Sequence, residues 1–196
     1  MHPEIISLCF FMFATSCSPG PNNVVASYSG FNFGIIKTIP HMLGVVFGFT
    51  ILVVAMNFGL INIFQNFPVI QEVLKYTGSL FLLFLAYKIS FSKNNLNNKK
   101  ENPVKFLETF FFQFINPKSY IVTVIMISTY VERGENFLLT SFWVICIAFL
   151  FAIISINFWT FIGRFLRRFA TNEKFIKRFN YVMSTFLVAC IATFYL

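Results

Sequence analysis

Two proline-marked breaks interrupt this chain half its length apart, each inside an apolar stretch long enough to cross a bilayer. The first is Ser18-Pro19-Gly20-Pro21-Asn22 and the second is Asn116-Pro117-Lys118. Proline lacks a backbone N–H and its ring clashes with the preceding turn, so neither stretch can run as one unbroken helix. In hydrocarbon the freed backbone groups need partners, which places each break against protein or a water-filled cavity. Broken helices at matching positions of two halves are the sequence sign of a transporter's midplane binding site.

Composition sets the class. Hydrophobic residues make up 57% of the 196-residue chain and charged residues 11%, against about 25% charged in soluble domains. The expected fold is all-α and integral to the membrane. Six apolar segments can be drawn, at 5–30, 40–64, 69–91, 105–131, 136–162 and 176–196, and each meets the roughly 20 residues a span requires. The polar stretch 92–104 divides the chain 1–196 into a first half, 1–91, and a second half, 105–196, within one transporter domain. The start, Met1-His2-Pro3-Glu4, has no basic region of the kind that opens a signal peptide, so the first apolar segment reads as a retained span.

The net charge of +8 would suggest nucleic acid in a soluble protein. Here the cations fall between spans and read as topology signals. Lys37, Lys88, Lys93, Lys99, Lys100, Lys105, Arg164, Arg167, Arg168, Lys174, Lys177 and Arg178 lie in the odd-numbered loops, against Lys75 and Arg133 on the other side. The positive-inside rule puts the odd loops in the cytoplasm and both termini outside. Three spans per half then make the halves an inverted repeat, 3+3, with the first and fourth helices broken. The expected location is the cell inner (plasma) membrane.

At the first break, Pro19, Gly20 and Pro21 should open the helix and release carbonyls such as those of Thr15 and Cys17. Asn22 and Asn23 follow, at the restarting helix N-terminus, whose positive dipole end suits a substrate carboxylate. A plain kink, with the asparagines as caps, is the competing reading. At the second break, Lys118 lies 13 residues from Lys105 and 15 from Arg133, about 20 Å from either flank by helical rise. An ionisable residue at that depth is a functional candidate by default, with snorkelling or a structural bond to unwound carbonyls as the alternative. Gln113, Asn116 and Pro117 complete the second candidate group.

Lesser candidates are Asn57 and Asn157, equivalent under the repeat and suited to interhelical hydrogen bonds, and Glu108, an interfacial charge beside Lys105. Gly44-x-x-x-Gly48 permits close helix contact. Trp143, Trp159, Tyr87, Tyr130 and Tyr181 read mostly as interfacial anchors. Cys9, Cys17, Cys146 and Cys190 form no CxxC pair and read as small buried hydrophobes. The chain contains no Asp, and its two histidines, His2 and His41, make no metal-spaced cluster. No phosphate-binding glycine loop is present either. The expectation is a protein that is not an enzyme, with no cofactor and no metal. Its partners would be lipid, a small solute and no nucleic acid.

Ser18-Pro19-Gly20-Pro21-Asn22 resembles the signature of the LysE/RhtB family of amino-acid exporters. The likeness continues through Gly30-Phe31-x-x-Gly34, Leu43-Gly44-x-x-x-Gly48-Phe49, Leu74-Lys75-x-x-Gly78 and Leu85-Ala86-Tyr87-Lys88. It reaches Gln113-Phe114-Ile115-Asn116-Pro117-Lys118 in the second half. The resemblance implies a six-span inner-membrane exporter of amino acids driven by protons. The Pro-Gly-Pro-Asn-Asn pattern is most similar to the cysteine and O-acetylserine exporting branch. Exporters of basic amino acids in this family tend to carry an acidic residue in the second span. This chain has none there, which favours a neutral amino acid, because a buried uncompensated cation is costly. A membrane thiol–disulfide carrier and an accessory membrane subunit are the competing classes. Substrate identity, the proton-coupling residue and homo-oligomer formation stay open.

Overall fold

The structure, a computed structural model, describes residues 3–91, 103–132 and 134–195, and every regular element within them is a helix. Most of the expected linker, including Lys93, Lys99 and Lys100, lies outside the described residues, as do His2 and Arg133. Helix α1 covers Pro3–Cys17 and α2 Pro21–Phe33. Helix α3 covers Ile35–Ala55 and runs through a π turn at Met56–Leu60 into α4, Ile61–Asn66. Then come α5, Pro68–Ser90, and after the linker α6, Phe106–Ile115, and α7, Pro117–Tyr130. Helix α8 covers Phe137–Leu166 and α9 Glu173–Ala192.

Local chemistry fixes the boundaries. Proline opens α2, α5 and α7 at the first helical position, where its missing N–H costs nothing. Gly34 turns the corner from α2 to α3 at φ 81°, a conformation that glycine adopts without steric cost. This corner starts the second expected span at Ile35 rather than residue 40. Asn172 starts α9 by accepting a hydrogen bond from the Phe175 N–H at 2.8 Å. Phe58 and Gly59 leave helical geometry and kink the end of the same second span.

By length and composition, Ile35–Leu60, Val69–Ser90, Phe137–Phe169 and Glu173–Ala192 can each cross a membrane. Helices α6 and α7, bent by 60° at Asn116, make a fifth span if counted together. The expected first segment, 5–30, is two helices of 15 and 13 residues, each shorter than the about 17–25 residues of a usual span.

Burial is inverted relative to a soluble domain. Large side chains such as Phe47, Ile51, Phe84, Phe111 and Phe158 are exposed, whereas Asn23, Ser27, Thr38, His41, Gln113, Asn116, Thr123 and Thr160 are buried. An apolar exterior of this extent marks a lipid-facing surface. Inside, Leu8 and Met12 of α1, Val45, Phe49 and Val53 of α3, and Ala148, Ala152 and Ile156 of α8 share one core.

Glycines set how closely helices approach. A Cβ on Gly44 would lie 2.6 Å from the Phe106 carbonyl oxygen, and one on Gly48 2.7 Å from that of Phe110. Helices α3 and α6 therefore run parallel with their backbones in contact, as the Gly44-x-x-x-Gly48 pattern anticipates. A Cβ on Gly163 would collide with the Ser27 carbonyl, and one on Gly30 with that of Thr160. Ser155 with Asn23, and Ser27 with the Trp159 carbonyl, show α2 and α8 running parallel. Helix α3 is antiparallel to α8 through Asn57 and Ser141. Helix α5 is antiparallel to α9 through the Ser90–Ser184 and Ser79–Tyr195 pairs.

Candidate functional site

The two breaks come together in space. Gly20, Pro21, Asn22 and Asn23 of the first line one cavity with Gln113, Asn116 and Lys118 of the second. Its volume is about 80 Å3, room for several water-sized groups. Met12, Val45, Phe49, Val122, Ala152 and Ile156 supply its apolar wall, and among the described residues no carboxylate lines it. Pro19 faces an adjoining side cavity that also meets Gly20, Pro21 and Lys118. Pro117 faces a third cavity, bounded by α5.

Unwinding at Ser18–Gly20 exposes carbonyls, and other elements answer them. Asn23 Nδ2 donates to the Ser16 and Ser18 carbonyls, both at 3.1 Å. Ser155 Oγ and Trp159 Nε1 from α8 also donate to Ser16 O, at 3.1 and 3.2 Å. Ser18 Oγ donates to Thr15 O at 2.7 Å. The expectation named Thr15 and Cys17. The partners shown for the break fall on Thr15, Ser16 and Ser18, because a three-residue gap displaces the freed carbonyls toward its own edge. Asn23 is thus a backbone cap as well as a cavity residue. Trp159 is a brace at the break rather than an interfacial anchor.

The second break is tighter. Asn116 is the single non-helical residue between α6 and α7, and its Oδ1 accepts from the Lys118 N–H at 3.2 Å. That cap aims the Lys118 side chain back across the cavity. Its Nζ donates to Ser18 Oγ at 2.7 Å and Ser18 O at 3.0 Å, joining residues 100 positions apart. Gly20 leaves the space for it, since a Cβ there would sit 2.8 Å from both Cδ and Nζ of the lysine. No ion pair engages Lys118 among the described residues, so its charge is held by neutral oxygens alone.

Asn22 and Gln113 form a reciprocal amide pair. Asn22 Nδ2 donates to Gln113 Oε1 at 2.8 Å, and Gln113 Nε2 donates to Asn22 Oδ1 at 3.2 Å. Gln113 also donates to Thr109 O and accepts from Ser119 Oγ. Both residues line the cavity while binding each other, which makes them a latch between α2 and α6.

Nothing in the sequence marks His41 as a site residue. It sits beside this latch with 1% of its surface exposed. It lies at the start of the expected second span, where an interfacial residue gives no signal; the earlier helix start at Ile35 puts it more than a turn inside. Thr109, Ser119 and Ser155 carry no signal either, as small hydroxyls in apolar runs are commonplace, and Ser18 stands in the first break with no role that its sequence assigns.

The lesser candidates separate. Asn57 Nδ2 bonds Ser141 Oγ at 2.8 Å across helices, whereas Asn157 Nδ2 bonds Ile153 O of its own helix at 2.8 Å. Glu108 caps α6 by accepting from the Lys105 N–H at 3.1 Å. Of the four free cysteines only Cys190 is buried, Cys9 is half-buried, and Cys17 and Cys146 are exposed. Membership of an apolar helix does not bury a residue when the helix has a lipid face. Cys190, remote from both breaks in sequence, lines the side cavity beside Lys118.

The family model described as LysE type translocator matches residues 13–195. The chain is similar to the cysteine/O-acetylserine efflux protein of Salmonella typhimurium strain LT2, 27% identical over 200 residues and 97% of each chain. Similar proteins of that description from Escherichia coli K12 and Shigella sonnei are each 27% identical over 198 residues, again covering 97% of both chains. No solved structure matches.

Proposed function

The chain belongs to the LysE-type translocator family, and on that premise we propose that it is a secondary exporter of small neutral amino acids in the cell inner membrane. The observation that carries this reading is Lys118, an ammonium group on the cavity wall with only neutral oxygens as partners. In a low-dielectric site such a charge favours an anionic group, which the carboxylate of an amino acid supplies. The unwound carbonyls of the first break and the Asn116 and Gln113 amides suit its ammonium group. The apolar wall of Met12, Val45, Phe49 and Val122 receives a short uncharged side chain. With no carboxylate lining the cavity, a lysine or arginine substrate would bury its side-chain cation unpaired. The function for which the relatives are named, cysteine and O-acetylserine efflux, fits both conditions.

We read α1 with α2 as one broken span and α6 with α7 as another, giving six spans in a 3+3 inverted repeat with both termini outside. Helix directions support this. Parallel α2 and α8, parallel α3 and α6, and antiparallel α5 and α9 are the senses that six alternating crossings require. Glu4 of α1 shares a cavity with Asn136 at the start of α8, and Phe31 of α2 packs with Leu166 at its end. The two short helices in succession therefore track the length of one spanning helix. Proton antiport, with the halves rocking about the cavity, would supply the driving force.

The test is uptake into inverted vesicles, whose cytoplasmic face is outward, of labelled cysteine, O-acetylserine, lysine or arginine supplied outside, with and without a pH gradient. Gradient-dependent movement of the neutral substrates, lost in Lys118→Ala while the variant stays in the membrane, is the expected result. Equal movement of lysine, or full activity of Lys118→Ala, would overturn the assignment.

A further inference from the structure

We infer that His41 is the proton-coupling residue of this exporter, poised to change protonation state by the swing of one hydroxyl. The inference deepens the antiport reading and rests on it. His41 Nε2 lies 3.3 Å from the backbone oxygen of Asn22 and Nδ1 lies 2.9 Å from Thr109 Oγ1. A carbonyl oxygen only accepts, so Nε2 carries a proton in either charge state. Nδ1 is the variable atom. Thr109 Oγ1 has a second partner, the carbonyl of Lys105 at 3.1 Å, but only one proton to donate.

Two complete hydrogen-bond patterns follow. With neutral imidazole, the Thr109 hydroxyl donates to Nδ1. When a proton binds at Nδ1, the ring donates to Thr109 Oγ1 and the hydroxyl turns to donate to Lys105 O. Neither state leaves a ring nitrogen unsatisfied, which is unusual for a buried titratable group, because burial normally strands one form. Histidine is also the side chain whose ordinary titration range spans neutral pH, and the chain has no Asp to compete for the role.

The charged neighbours leave the ring as the acceptor. Helix α2 carries no carboxylate, histidine, lysine or arginine, and its titratable side chain is the phenol of Tyr28. On α6, Glu108 is engaged with the Lys105 backbone at the exposed helix start. Lys37 lies one turn earlier on α3, and Arg164 is the charged residue of α8 at the same end. On α7, Lys118 is bonded to Ser18. None of these side chains hydrogen-bonds the ring, whose partners are Asn22 and Thr109.

Coupling to cargo runs through the latch. The ring holds the backbone of Asn22, whose side chain pairs with Gln113, and Gln113 in turn holds the Thr109 carbonyl. Charging the ring therefore acts on both helices that the amide pair joins, α2 and α6. By linkage, whatever a proton does to cavity occupancy, occupancy does to proton affinity.

Two measurements test this on the full chain. Proteoliposomes would be assayed with reduced labelled cysteine for pH-gradient-driven accumulation and, without a gradient, for counterflow exchange. His41→Gln keeps a donor for the Asn22 carbonyl and is expected to lower accumulation at least about tenfold while exchange stays within about twofold. Accumulation at the wild-type level in His41→Gln overturns the inference. Because that variant could fail to fold, Thr109→Val is the second variant: it keeps the ring and removes the switching hydroxyl, and should shift the pH dependence of accumulation.

The second measurement reads the ring directly by nitrogen NMR of histidine-labelled protein in a His2→Gln background. The expected signal is a titration of Nδ1 within the pH range over which the gradient drives accumulation, displaced by Thr109→Val. A ring that stays in one state across that range overturns the inference even if transport is intact. If wild type moves no cysteine, the export reading fails on its own account, and the ring titration still decides whether His41 is a proton site.

Discussion

The two proline breaks solve one problem in opposite ways. The first is three residues wide, uncharged and dependent on others: Asn23, Ser155 and Trp159 bring donors to Ser16 and Ser18. The second is a single residue, Asn116, which caps the following helix with its own side chain and launches a charge. The wide break receives and the narrow break donates, and the Lys118–Ser18 contact is where they meet. A wide gap supplies acceptors but cannot hold itself open. A tight gap holds its own shape and can therefore aim a costly charged group. The inverted repeat proposed here would thus keep the position of its breaks while dividing their chemistry.

Breaking the donor should have the largest effect. Lys118→Ala is expected to weaken substrate binding by about 30-fold or more, the consequence of deleting one member of a buried charged hydrogen-bond pair, as read by transport at limiting substrate. Next come the glycines that shape the second break. A Cβ on Gly78 would collide with the Ile115 carbonyl just before Asn116, and backbone cannot yield as a side-chain tip can. Gly78→Ala should therefore lower stability by about 1–3 kcal/mol, visible as a lower unfolding midpoint in detergent. Gly20→Ala meets only the flexible end of Lys118, so the comparison predicts a functional defect with little loss of stability.

On the receiving side the expected effects are smaller. Asn23→Ala removes donors from two carbonyls, of which Ser16 O keeps Ser155 and Trp159. A loss of about 1–2 kcal/mol is expected by thermal unfolding. Trp159→Phe deletes one of three donors to Ser16 O while keeping most of the ring's packing, and should cost about 1 kcal/mol or less. If Trp159→Phe proved more damaging than Asn23→Ala, α8 and not the local cap would be what holds the first break open.

Much of this was legible in the residues. Pro19, Pro21 and Pro117 announce both breaks, because proline's missing donor acts wherever the chain goes. Gly44 and Gly48 forecast a close helix contact for the same local reason. The residues do not mark His41 or Trp159: one is a histidine without metal spacing and the other an aromatic near an expected span end, until the corner at Gly34 starts α3 earlier and α8 continues to Leu166. Of the cysteines expected to be buried, Cys190 is, but Cys17 and Cys146 are exposed, because hydropathy cannot tell a lipid face from a core.

The sequence by itself determined where the helices must break, that their surroundings must be largely apolar, and that one cation, Lys118, would sit deep in an apolar run. Those follow from covalent geometry and solvation, which act residue by residue. Only the tertiary structure decided that Lys118 reaches Ser18, that Asn22 and Gln113 bind each other, and that His41 stands behind them with Thr109. Each of these joins residues from 68 to 100 positions apart. Such contacts depend on which helix faces meet, and helix packing, set here by glycines at backbone contacts, selects those faces.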